Sequence, residues 1–160
     1  MAPAADGFTR KVGSEGGARA ERQEGNSLLR SMPGTRSCHS RSQPGLQVNI
    51  RGRTGAGRVN TMIDGVTQTF RNNAGHGSGG PFAYVDPFLL AGVDVQRGAV
   101  AGADGAGTLA GSANFRTLDI DDLLAEGRDW GLRAGYRHGH TGYGNGRLFA
   151  GAWRHSGAGG

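Results

Sequence analysis

The sequence predicts an α+β fold: a small mixed sheet with short helices and long glycine-rich loops, followed by an antiparallel hairpin. Three observations lead there. Apolar residues alternate with polar ones in short runs, the period of a half-buried strand. Only two stretches carry helix signals, and both are short. Glycine fills 32 of the 160 positions, against a usual share of about 7%. Val, Ile, Leu and Phe together supply only 28 residues, so a large self-sufficient core is not expected and the domain should lean on something larger.

Residues 1–25 are polar, rich in Gly and Arg and without period, and are expected to form a disordered or non-native leader. Residues 26–34 predict one helical turn, with Leu28, Leu29 and Met32 on a shared face and Pro33-Gly34 as its stop. A polar loop is expected over 35–45. Val48 and Ile50 alternate with Asn49 and Arg51 in a first strand that Gly52 ends. A second strand over 58–64 puts Val59, Thr61 and Ile63 on one face and turns at Asp64-Gly65. Residues 71–81 read as a long loop. Asp86 then caps a short helix with Pro87 at its first position, where the missing donor costs nothing. Strands over 93–97 and 112–117 follow, separated by a Gly/Ala loop. In the last thirty residues, Leu132, Ala134 and Tyr136 alternate with Arg133, Gly135 and Arg137, and a run over 147–154 can pair back across Asn145-Gly146. Such runs fit an outer-membrane barrel strand pair; an ordinary surface hairpin explains them nearly as well.

The composition excludes several classes. The glycines follow no Gly-X-Y period, and no run approaches the roughly 18 apolar residues of a membrane helix. The opening residues have no apolar region of a secretory signal. Cys38 stands alone, which leaves no intrachain disulfide framework and no Cys-based zinc site. The net charge of +5 comes almost wholly from arginine spread over the first half, without the dense block or stacking aromatics of a nucleic-acid binder, so no nucleic-acid partner is expected.

Gly52 to Val59 nearly fits a phosphate-binding loop, but Arg58 replaces the phosphate lysine, Val59 replaces the metal-binding hydroxyl, and a strand follows. His76-Gly-Ser78-Gly-Gly80 resembles a nucleophile elbow without its strand–turn–helix frame. His138 and His140 share a strand face but lack a third ligand. With no placed nucleophile–base pair and no closed metal set, the chain is not expected to be an enzyme, nor to hold an intrinsic cofactor or metal.

Six blocks then occur in order: Leu28 to Gly34, Val48 to Gly52, Arg58 to Gly65, Tyr84 to Pro87, Val93 to Gly98 and Gly107 to Thr117. Together they resemble the plug domain of TonB-dependent outer-membrane receptors, over about residues 26–125. The Phe70-Arg-Asn-Asn and Asn114-Phe-Arg-Thr-Leu-Asp stretches are most similar to the branch serving haem, haemophores and haemoglobin. The resemblance implies a plug that sits inside a 22-stranded barrel of the cell outer membrane. It also implies gated uptake of iron carriers, haem or a ferric siderophore, driven by the TonB complex. By the same resemblance, Arg51 and Arg97 are the plug's charge latch to barrel-wall glutamates, and His76 is a candidate axial ligand for haem iron. Ala99 stands where the family usually has proline, and Asp104-Gly105 replaces its usual Tyr-Gly.

The expected organisation is a leader over 1–25, a plug over 26–128, and the first one or two strands of an incomplete barrel over 129–160. No TonB box is recognisable, the plug's usual first strand is not found, and two strands cannot close a barrel. The chain therefore reads as a receptor fragment that transports nothing alone. The rival readings are a basic glycine-rich nucleic-acid binder, a free-standing periplasmic carrier and an inert truncated fragment.

Overall fold

The computed structural model describes residues 6–11, 28–40, 43–70, 81–100, 108–138 and 145–154. The chain divides into two compact units, Met1–Thr117 and Leu118–Gly160.

In the first unit, seven strands build two sheets: β1 (Asp6–Lys11), β2 (Thr35–Ser40), β3 (Gln43–Ile50), β4 (Val59–Ile63), β5 (Val66–Thr67), β6 (Leu90–Arg97) and β7 (Gly111–Thr117). The larger sheet has the order β1-β6-β7-β4-β5, and β2-β3 form a separate hairpin. Only β4 and β7 run parallel, so the sheet is mixed as predicted. Burial follows the predicted alternation. Val93 and Val95 of β6 join Ala113 and Phe115 of β7 in one cluster, with Val48 and Ile50 from the hairpin and Leu29 and Met32 from the helical turn. Phe115 is fully buried and lies opposite Val93 in the β6–β7 register. The hairpin and helical turn thus supply the second layer that a one-faced sheet needs.

Four features differ from the sequence expectation. First, no element is predicted before residue 26, yet β1 pairs with β6 from Asp6↔Arg97 to Lys11↔Gly92. The outer edge of β6 offers a row of backbone donors and acceptors, and such a template needs no hydrophobic period in the strand that joins it. Second, residues 35–40 form β2 instead of a loop, antiparallel to β3 with a register shift between Cys38 and Ser40. Its polar residues hide the strand pattern. Third, the helix expected after Asp86 is a single 3-10 turn, Pro87–Leu89. The cap is as expected: the Phe88 N–H donates to Asp86 Oδ1 at 2.9 Å. The turn ends early because Leu90 already pairs with Thr117. Fourth, β4 is buried at every position from Val59 to Met62, not on one face alone.

The β4–β5 turn is predicted and has a tighter lock than its sequence suggests. Asp64 and Gly65 both have positive φ, +47° and +80°, as a primed hairpin turn requires. The Asp64 carboxylate accepts from the Thr117 N–H at 2.8 Å and from the Thr117 hydroxyl at 2.6 Å. Asn114 Oδ1 accepts from the Gly65 N–H at 2.9 Å. The turn is therefore stitched to the far end of β7. Replacing Asp64 with alanine should cost about 1–2 kcal/mol, read as a lower urea midpoint with an unchanged slope. An unchanged midpoint would show that water replaces both bonds without loss.

In the second unit, α1 (Ile120–Leu123) precedes the hairpin strands β8 (Trp130–Arg137) and β9 (Gly146–Trp153). The one-turn helix was not predicted, although its signal is present: Asp119 caps it, and Asp122 returns a bond to the Asp119 N–H at 3.1 Å. It rests against β8 at a residue without a side chain, since a β-carbon on Gly131 would fall 2.0 Å from the Leu123 carbonyl oxygen. The strands pair in register from Trp130↔Trp153 to Arg137↔Gly146, as the alternation predicts.

Candidate functional site

The register places one end of each central strand together, because Val59 of β4 pairs with Gly111 of β7, which pairs with Arg97 of β6. The chain between β3 and β4 enters the sheet at this end, and residues 98–110 connect β6 to β7 there. Here the structure brings together the two arginines singled out in the sequence. Arg51 follows β3 with φ +51°, and its N–H donates to the Gly34 carbonyl at 2.7 Å. Arg97 ends β6, and its Nη1 donates to the Pro33 carbonyl at 3.0 Å. Both side chains close on Gly34, whose β-carbon would lie 3.5 Å from Arg51 Cγ and 3.8 Å from Arg97 Nη1. The Pro33-Gly34 helix stop is thus also the seat of the arginine pair. Arg51 is exposed and Arg97 half-buried.

His76 lies outside the described residues, but the chain on either side of its loop is described. The Phe82 N–H donates to the Phe70 carbonyl at 3.0 Å, and Leu46 and Ala83 exchange two backbone bonds of 2.9 Å. Three aromatic rings gather on this base. Phe70 and Tyr84 meet edge to face with centroids 5.2 Å apart, and Phe82 lies 6.3 Å from Tyr84 at a 40° tilt. Gly45 makes room for them, since a β-carbon there would come within 2.9 Å of both Phe82 and Tyr84. Sequence reasoning missed this cluster. The available signal was three aromatics bracketing a glycine loop in a chain with only 7% aromatic residues.

Of the motifs set aside in the sequence, His76-Gly-Ser78-Gly-Gly80 lies outside the described residues. The Gly52–Gly57 loop holds three glycines at positive φ and runs directly into β4, so it presents no helix N-terminus to a phosphate. His138 Nδ1 lies 2.6 Å from Asn145 Oδ1, and His140 is outside the described residues. Among the described residues no three metal-binding side chains gather.

The hairpin separates its side chains by face. Trp130, Leu132, Ala134 and Tyr136 of β8 share an exposed face with Phe149 and Trp153 of β9, while Arg133 and Leu148 take the other. Tryptophans stand at one end of the exposed face and Tyr136 at the other, where the Arg147 guanidinium lies 5.9 Å from its ring centroid. Eight residues per strand, at about 3.4 Å each, make a band roughly 27 Å long.

A mixed sheet with few helices, completed by a hairpin, is the architecture of a plug domain. The family description "TonB-dependent Receptor Plug Domain" matches residues 11–112. The chain belongs to this family. A probable TonB-dependent receptor of Haemophilus influenzae is 44% identical over 117 residues, 70% of this chain. A hemin receptor of Yersinia enterocolitica is 34% identical over 66% of the chain, and a hemophilin receptor of Acinetobacter baumannii 31% identical over 65%. The chain spans 13%, 15% and 10% of the lengths of these three relatives. Among solved structures, the Serratia marcescens hemophore receptor HasR, in complex with its hemophore HasA and heme, superimposes with a TM-score of 0.64 at 33% identity, covering 81% of this chain and 19% of that one. Proteins of this family are receptors and transporters of the outer membrane, not enzymes.

Proposed function

We propose that the chain is the plug, with the opening strands of the barrel, of an outer-membrane receptor that takes up haem or haem-carrying proteins. The observation that carries the plug reading is the convergence of Arg51 and Arg97 on Gly34 at the loop-bearing end of the sheet. Two arginines rooted at one glycine suit carboxylates from a surrounding wall. In this reading the arginines latch the plug to barrel glutamates, the TonB complex releases it, and the first barrel strands begin near residue 129. The haem reading draws on relatives described as hemin, hemophilin and hemophore receptors. His76, in a glycine loop, supplies one axial ligand, which a barrel residue completes.

The cargo test is a titration of a full-length receptor carrying this segment, with haem and with a ferric siderophore. Haem should bind with a Soret shift, and His76→Ala should weaken it about tenfold, about 1.4 kcal/mol. Preference for the siderophore would replace haem as cargo. Unchanged affinity and spectrum in the variant would remove His76.

The barrel reading has its own test. Arginine in place of Phe149, on the exposed apolar face, should destabilise the inserted receptor by about 2–4 kcal/mol, whereas arginine in place of Leu148, on the Arg133 face, should be tolerated. Equal effects in a detergent-to-bilayer folding titration would leave the hairpin an ordinary surface one.

A further inference from the structure

We infer that Phe70, Phe82 and Tyr84 form a stacking platform for the flat face of a tetrapyrrole, a contact that needs no iron ligation. The inference rests on the haem reading and assigns part of the cargo's binding surface to these three side chains.

The first argument is exposure. Phe115 and Phe88 are buried, at 0% and 8% relative exposure, whereas Phe70 and Tyr84 stay 60% and 41% exposed although they touch each other. A cluster formed only to bury apolar area would hide its rings. The second argument is shape. Phe70 and Tyr84 stand at 86°, which makes a right-angled corner, with Phe82 tilted beside it. A third, flat π-system can stack offset on one wall of such a corner while meeting the other edge-on, the two arrangements that aromatic quadrupoles favour. A bulky, hydrated chelate gains little from that geometry.

The third argument is rigidity. The backbone beneath the rings is tied from Phe82 to Phe70 and twice between Leu46 and Ala83. Gly45 admits Phe82 and Tyr84 so closely that any side chain there would displace both rings. A ligand meeting this surface has little ordering left to impose, which is how a prebuilt site gains affinity.

The test titrates the 160-residue chain with metal-free protoporphyrin IX and with haem, for the unaltered sequence and for Phe70→Ala, Tyr84→Ala and Tyr84→Phe. Leu109→Ala, at an exposed apolar residue elsewhere, is the control. Metal-free protoporphyrin should bind, each ring deletion should weaken it about fivefold to tenfold, and Tyr84→Phe and Leu109→Ala should not. Circular dichroism of each variant separates lost binding from lost structure. Haem binding that ignores both ring deletions, or haem binding without protoporphyrin binding, overturns the platform and leaves the haem reading standing. Failure of both tetrapyrroles to bind overturns the platform, while the haem reading stands or falls on the full-length titration.

Discussion

Gly111→Ala is expected to unfold the larger sheet, with a loss of about 4 kcal/mol or more. Gly111 is the residue where three strands meet, opposite Arg97 of β6 and Val59 of β4. Its φ is +138°, and a β-carbon would fall 2.1 Å from the Gln96 carbonyl oxygen and 3.1 Å from the Arg97 α-carbon. Nothing flexible stands there to yield, because both neighbours are backbone. The neighbouring bonds cannot shift freely either: the Gly98 N–H donates to Ala110, and the Ala110 N–H donates to Arg58. A β-carbon would therefore part β6 from β7 and carry Arg97 away from Gly34. Gly57 supplies the comparison, with φ +74° and open space around it. Alanine there should cost only the conformational penalty of about 1–2 kcal/mol. Urea unfolding of the two variants decides the matter, and similar losses would show that sterics at Gly111 play no part.

Strands whose side chains decide their position were legible in the sequence. Val93 and Val95, Val48 and Ile50, and the Leu132–Ala134–Tyr136 alternation each point to a face, and the structure places them on that face. Asp86 and Pro33-Gly34 were legible as a cap and a stop because their chemistry is local. Elements that form by borrowing were not. β1 exists through the backbone edge of β6, β2 through that of β3, and neither carries an apolar period of its own. The same distinction applies to the site. Arg51 and Arg97 could be picked out singly, but 46 positions separate them, and only the folded chain shows that Gly34 brings them together. The Phe70–Tyr84 corner is hidden for the same reason, since its seat is Gly45, far earlier in the chain.

Arg97→Glu should matter far more in an assembled receptor than in this chain alone. Within the chain, the Arg97 guanidinium donates to the Pro33 carbonyl, and losing a bond of that kind costs about 1 kcal/mol. If barrel carboxylates complete the cluster, reversal places a negative charge against them in a space that water reaches poorly. Breaking a pair of that kind costs about 3–5 kcal/mol, because the remaining charge stays desolvated. Arg97→Lys keeps the charge but loses the planar fork, so its effect should lie between. Arg51→Glu should act in the same direction, since its side chain rests on the same glycine. The measurement is plug retention, followed by limited proteolysis against urea, in a full-length receptor and in the 160-residue chain. The latch requires the difference between the two backgrounds. A loss of equal size in both would make Arg97 a structural tie within the plug, and would move the search for the plug's hold on its wall to other residues.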